Sequence, residues 1–186
     1  MNYQNIIHQY TQILEEFFVA QGSLFDEVVN LMTECLKAGH KTLIFGNGGS
    51  AAQAQHFAAE MVNKFLKIRL PLKAISLTTD TSALTSIGND TSFDYVFSRQ
   101  IEALGDKGDV VLALSTSGDS SNIIKAVEMA KERGLLTVGF TGKGGGKLAL
   151  LVDYVLDIPS RSTPRIQEAH LLLLHLLAQE LEDRLS

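Results

Sequence analysis

Residues 42–60 read TLIFGNGGSAAQAQHFAAE, and the fold follows from how this stretch is parsed. Thr42 to Phe45 are β-branched or bulky apolar residues, which suit a buried strand. Gly46-Asn47-Gly48-Gly49 permits positive φ and close backbone approach, so a ligand can rest against bare main chain. The following helix is expected to open at Ser50, a good N-cap, with its free N–H groups and positive dipole end turned toward the glycine turn. That makes an anion the natural guest. His56 and Glu60 are spaced i, i+4 and share one helix face, close enough to hold one metal or to act on one substrate.

Outward from this unit, apolar runs recur at Ala74 to Leu77, Val110 to Leu114, Leu136 to Phe140 and Tyr154 to Ile158, with helical patterns between them. Nearly continuous aliphatic runs suit strands buried on both faces, and the alternation predicts a doubly wound α/β domain on a mainly parallel five-stranded sheet. In such sheets ligands gather at the strand C-termini. There the chain turns small and polar: Thr78-Thr79-Asp80, then Ser115-Thr116-Ser117-Gly118-Asp119-Ser120, then Thr141-Gly142-Lys143-Gly144-Gly145-Gly146. Before the first strand, an apolar stripe from Tyr3 to Phe18 breaks at Gln21-Gly22-Ser23. It resumes from Leu24 to Leu36 and ends at Ala38-Gly39, which predicts two N-terminal helices. They either cover the domain's own sheet or, the preferred reading, the first packs on another copy of the chain, since the sheet has crossover helices of its own. Thr163-Pro164 opens a last long helix, in which Gln167, His170 and His175 interrupt an apolar face.

The chain has 186 residues and is 45% hydrophobic, enough for one sizeable core, so residues 1–186 form a single domain with a helical extension over 1–39 and an α/β core over 40–186. A net charge of −5 and a pI near 5.5 lack the electrostatic footprint of a nucleic-acid binder. Cys35, alone and within an apolar helical pattern, is a reduced core residue. No basic leader precedes an apolar run, and no stretch approaches the ~18 apolar residues of a membrane span. A soluble cytoplasmic protein is the expectation.

Ser115, Thr116, Ser117 and Ser120 offer hydroxyls at the entry to a helix from about Ser121 to Arg133, a way to hold a phosphate monoester with little positive charge. Gly46-x-Gly48-x-x-Ala51 also fits the loose dinucleotide fingerprint. That pattern wants an acidic residue about 20 positions on, whereas the candidate, Asp80, arrives late. His56 and Glu60 gain meaning only in company. Gln167 and His175 would complete a mixed N/O set for a zinc-like ion, although eight helical residues separate them by ~12 Å of rise and ~80° of rotation. His170 reads as a hydrogen-bonded structural histidine.

With GNGGSAAQAQHFAAE, TTDTSALTSIGND, STSGDS and TPRIQEAHLLLLH in order, the chain resembles the phosphoheptose isomerases of the sugar-isomerase (SIS) domain superfamily over nearly its whole length. The resemblance implies a homotetramer with active sites at subunit interfaces. It implies conversion of sedoheptulose 7-phosphate to D-glycero-D-manno-heptose 7-phosphate, in the first steps of nucleotide-activated heptose synthesis. It implies zinc on His56, Glu60, Gln167 and His175. Substrate contacts would fall at Asn47, Gly48, Gly49, Glu60, Asn89, Asp90, Ser115, Thr116, Ser117, Ser120 and Gln167, with Glu60 the base and His175 the acid. Two positions depart from the family pattern: Asp119, where asparagine is usual and where a carboxylate would stand near the phosphate, and Gly144, where aspartate is common. Similar non-catalytic proteins that associate with replication initiators lack the glutamate of HFAAE and the final histidine, both of which are present here.

Overall fold

The computed structural model describes residues 2–186. Five strands, β1 (Thr42–Gly46), β2 (Ala74–Ser76), β3 (Val110–Ser115), β4 (Leu136–Gly142) and β5 (Tyr154–Ile158), form one sheet in the order β2-β1-β3-β4-β5. Every neighbouring pair is parallel. Alternation within β1 serves two cores. Ile44 enters a layer with Phe17, Met32, Phe57, Leu112 and Leu173, and Leu43 and Phe45 enter the opposite one with Val111, Ala113, Ile123 and Ile101. The first layer is covered by α1 (Tyr3–Lys37), α2 (Gly49–Val62) and α6 (Thr163–Leu185), the second by α4 (Ser98–Leu104) and α5 (Ser121–Glu132) with α3 (Thr81–Asp90) at its margin. The chain leaves β1 toward β2 on one side and returns to β3 on the other, which opens a crevice above the C-terminal ends of β1 and β3.

Two helix expectations are corrected. The N-terminal segment is one continuous helix of 35 residues, about 52 Å long, rather than two. Gly22 costs an interior helix only ~1 kcal/mol, and Gln21 is anchored from outside: its amide donates to the Asp157 main-chain carbonyl at 3.1 Å, and its Oε1 accepts from Asp157 N–H at 3.3 Å. The stripe is also partly covered by the chain itself. Phe17 is buried and the Tyr10 hydroxyl donates to the Glu168 carbonyl, while Tyr3, Ile7 and Val19 stay exposed. The extension over 1–39 therefore shares the core of the α/β unit. In addition, α6 is capped by Ser162, one residue before the expected Thr163. Cys35 is buried as expected, and burial pushes its thiol up to about 11.

Candidate active site

The glycine turn after β1 caps α2 with its own main chain. Gly48, at φ +56°, is the N-cap, and its carbonyl accepts from the N–H groups of Ala51 and Ala52. Ser50 is therefore not the cap; it lies inside the helix, buried, where its N–H donates to the Asn47 carbonyl. Gly49 has no room for a side chain, since a Cβ there would stand 2.6 Å from the Gln167 amide nitrogen. The carboxamide of Gln167, from α6, lies across bare backbone at the start of α2.

Opposite this turn, the loop after β3 folds on its own hydroxyls. Ser115 Oγ accepts from Gly118 N–H at 3.1 Å and Ser117 Oγ from Asp119 N–H at 3.2 Å. Ser120 caps α5 without spending its side chain on the helix, which leaves that hydroxyl for a ligand. Asn47, Ser50, Ser115, Thr116, Ser120 and Gln167 line a polar pocket of about 60 Å³ between the two loops. Ser117 instead lines an adjoining hollow with Thr116, Lys143 and Arg161, so the structure adds two cations beside a loop whose own residues carry none. Asp119 does not face the pocket: it is exposed, and its carboxylate accepts from Lys147 N–H at 3.1 Å, which ties the loop to the Gly144-Gly145-Gly146 turn. The sequence reading missed Asn122. It is buried, and its amide exchanges two 2.9 Å hydrogen bonds with that of Asn47, fixing both loops to each other. An asparagine on the first turn of a helix after a serine-rich loop is the only local signal it gives.

Farther along the same two helices, α2 and α6 bring together His56, Glu60 and His175. The two imidazole Nε2 atoms are 2.8 Å apart across 119 residues of sequence, and Glu60 Oε1 is 3.5 Å from His56 Nε2. The Phe65 ring lies 5.6 Å from that of His175, tilted by 30°. Burial lowers the pKa of His175 and the neighbouring His56 lowers it further, with Glu60 pulling the other way. Between the two ends, the Gln53 amide donates to the Gln167 carbonyl at 2.6 Å, holding α2 against α6. From Gly49 to His56 the helix rises ~10 Å, the separation between anion pocket and imidazole pair along α2.

Three predicted positions stand apart from this convergence. Gln167 makes no hydrogen bond to His56, Glu60 or His175 and belongs to the anion pocket. Asn89 and Asp90, at the end of α3, are exposed, and the Asn89 amide donates to the Asp90 carboxylate at 2.8 Å. His170 is structural as expected but wholly buried: its Nε2 donates to the Thr141 carbonyl at 3.0 Å, and burial holds its pKa at about 4. Among the described residues no group of three or more His, Cys, Asp or Glu side chains is arranged to enclose an ion. His56, Glu60 and His175 carry the nitrogen and oxygen donor types that zinc takes, but their two imidazole nitrogens contact each other directly instead of standing around an ion site.

The SIS domain family matches residues 5–142. A phosphoheptose isomerase of Desulfovibrio desulfuricans is 52% identical over 90% of this chain and 80% of its own. One of Rhodospirillum rubrum is 47% identical over 96% and 97%. The solved phosphoheptose isomerase of Neisseria gonorrhoeae superposes with a TM-score of 0.91 at 43% identity, covering 97% of each chain.

Proposed function

The chain belongs to the phosphoheptose isomerases of the SIS-domain family, and from that premise we infer its chemistry: it is a ketose–aldose isomerase that converts sedoheptulose 7-phosphate to D-glycero-D-manno-heptose 7-phosphate. The observation that carries the mechanism is that His56 contacts both Glu60 and His175 on α2 and α6, the two helices that also give Ser50 and Gln167 to the hydroxyl-lined pocket. The phosphate is held by Ser115, Thr116, Ser120 and the first turn of α5, with Asn47 and Gln167 on the facing wall and Lys143 and Arg161 beside Ser117.

Isomerisation moves a carbon-bound proton, which needs a base at that carbon and a donor to the carbonyl oxygen. Glu60 removes the proton from C1 and His175 gives one to the oxygen on C2, forming an enediol. Glu60 then returns its proton to C2 while the C1 hydroxyl passes its own to His175, which leaves the aldose and restores both side chains. His175 suits the donor role because its lowered pKa keeps the ring neutral near pH 7, with one N–H to offer. A zinc-like ion held by His56, Glu60 and His175, with Gln167 added by resemblance, would polarise the carbonyl oxygen as a Lewis acid. Glu60 can take the proton only while its carboxylate is free of such an ion.

The proposed assembly is a homotetramer. Tyr3, Ile7 and Val19 on α1 and Leu66, Ile68 and Leu70 after α2 leave apolar surface uncovered, and Asn89 and Asp90 do not reach the pocket of their own chain. A buried unpaired Cys35 suits a reducing cytoplasm. Purified protein incubated with ketose phosphates of five, six and seven carbons should yield an aldose from the seven-carbon sugar. Failure with that sugar alone would move the assignment to another sugar phosphate.

A further inference from the structure

Beyond its last turn, α2 runs into residues 63–73, which have no regular secondary structure. Phe65 and Leu72 are partly buried against the core, but Leu66, Ile68 and Leu70 between them are 65%, 93% and 83% exposed and do not hold the segment down. A buried carboxylate does. Glu182 of α6, 1% exposed, accepts from three consecutive main-chain N–H groups, those of Phe65 at 2.9 Å, Leu66 at 2.7 Å and Lys67 at 2.8 Å. Burial raises the pKa of this carboxyl, and the three donors with Arg69 overcome it, so it stays below its ordinary value and charged.

Arg69 supplies the balancing charge and is equally buried. Its Nε stands 3.3 Å from Glu182 Oε1, an ionic contact rather than an aligned hydrogen bond. The fork of the guanidinium points elsewhere. Nη2 donates to the Glu60 carbonyl at 2.8 Å and Nη1 to the Met61 carbonyl at 2.9 Å, and Nη1 also donates to the Leu70 carbonyl. The Glu60 and Met61 carbonyls belong to the last turn of α2, where no basic side chain of the helix itself is present, and that of Met61 also accepts from Leu72 N–H at 3.0 Å. Glu182 and His175 are seven residues apart on α6 and share a face. The segment bound to Glu182 therefore lays the Phe65 ring on His175 and closes through Arg69 on the main chain of Glu60. A buried pair of this kind contributes little net stability over a hydrophobic replacement, so its value lies in direction.

We propose that the Arg69–Glu182 pair is a positioning device for the reaction: it fixes the end of α2 that carries Glu60 and the Phe65 ring that orients His175. The inference rests on the roles given above to those two residues. Neither Arg69 nor Glu182 touches the substrate. Small displacements of reacting groups are costly, so Arg69→Lys, which keeps the charge and loses the fork, should lower kcat roughly ten- to a hundredfold. KM for the sugar phosphate and the affinity for inorganic phosphate should stay within about twofold, because the anion pocket is built elsewhere. Glu182→Gln should give the same split. An unchanged kcat in both variants, or a kcat loss matched by an equal loss of folded protein, would overturn the proposal. An independent arm follows the His175 ring protons by NMR, assigned by their absence in His175→Gln. They should shift in Arg69→Lys and Glu182→Gln and hold still in a surface control, Lys107→Ala. If the wild type showed no isomerase activity while these protons shifted, the functional reading would fail and the positioning would stand. Unmoved protons would sink the positioning whatever the activity.

Discussion

The two ends of the site, the anion pocket and the histidine cluster, are made of different material. The anion end is mostly main chain and short hydroxyls from two loops each contiguous in sequence, with the Asn47 and Gln167 amides on its wall and glycines where backbone must approach closely. The histidine end is side chains alone, delivered by α2 and α6 and held by a third segment through Arg69 and Glu182. A backbone-built site is broken by adding atoms, and a side-chain site by removing them. The contrast sets different failure modes for the same enzyme.

The sharpest separation comes at the histidine end. Glu60→Gln removes the base while keeping shape, and turnover should fall by about 10²–10⁴ with sugar-phosphate binding largely kept, as read by steady-state kinetics and titration calorimetry. Substantial remaining turnover would remove Glu60 as the base. At the anion end the damaging change is an addition. Gly118 sits at φ +71°, and a Cβ there would lie 2.0 Å from the Gly145 carbonyl oxygen, main chain against main chain. Gly118→Ala should cost about 3 kcal/mol of stability and raise KM together, measured by denaturant melts and kinetics. A variant as stable as the wild type would show that the two loops can part without penalty.

A third test uses His170, which ties α6 to the end of β4 between the two ends. The unfolded chain takes up this proton near pH 6.5, and the folded protein only near 4. Stability present above pH 6.5 is therefore given up as the pH falls toward 4, by roughly 3 kcal/mol. His170→Gln should flatten that part of the stability–pH curve, and an unchanged slope would mean that other groups carry it. The smallest effect is expected from Ser117→Ala with Ser120→Ala, a rise in KM of about tenfold with little change in melting temperature. An unaltered KM would place the phosphate elsewhere.

What could be read in the sequence follows the same divide. The strand, glycine turn and helix of 42–60, and the serine loop after β3, were legible because each is local chemistry. The break expected at Gln21-Gly22-Ser23 was wrong because Gln21 is held by Asp157, across the fold on β5. Asn122 gave almost no signal, since its meaning is an amide partner 75 residues away. Arg69 and Glu182 give no local signal, because their partners meet only where the segment between α2 and β2 lies on α6. Asp119 looked like a departure at the phosphate because its neighbour in space, Lys147 N–H, lies 28 residues on.

The strand order has a consequence in time. β1 pairs with β2, which follows it closely, but the crevice needs β3 on its other edge, with Thr42 beside Val110. Parallel pairing across so long a separation is slow, because chain closure must be met before any contact rewards it. The anion pocket, which draws on both β1 and β3 loops, is therefore assembled late on the folding path. A sugar phosphate has nothing to grip until then. Added during refolding, it should leave the folding rate alone and act on the return journey, by slowing unfolding.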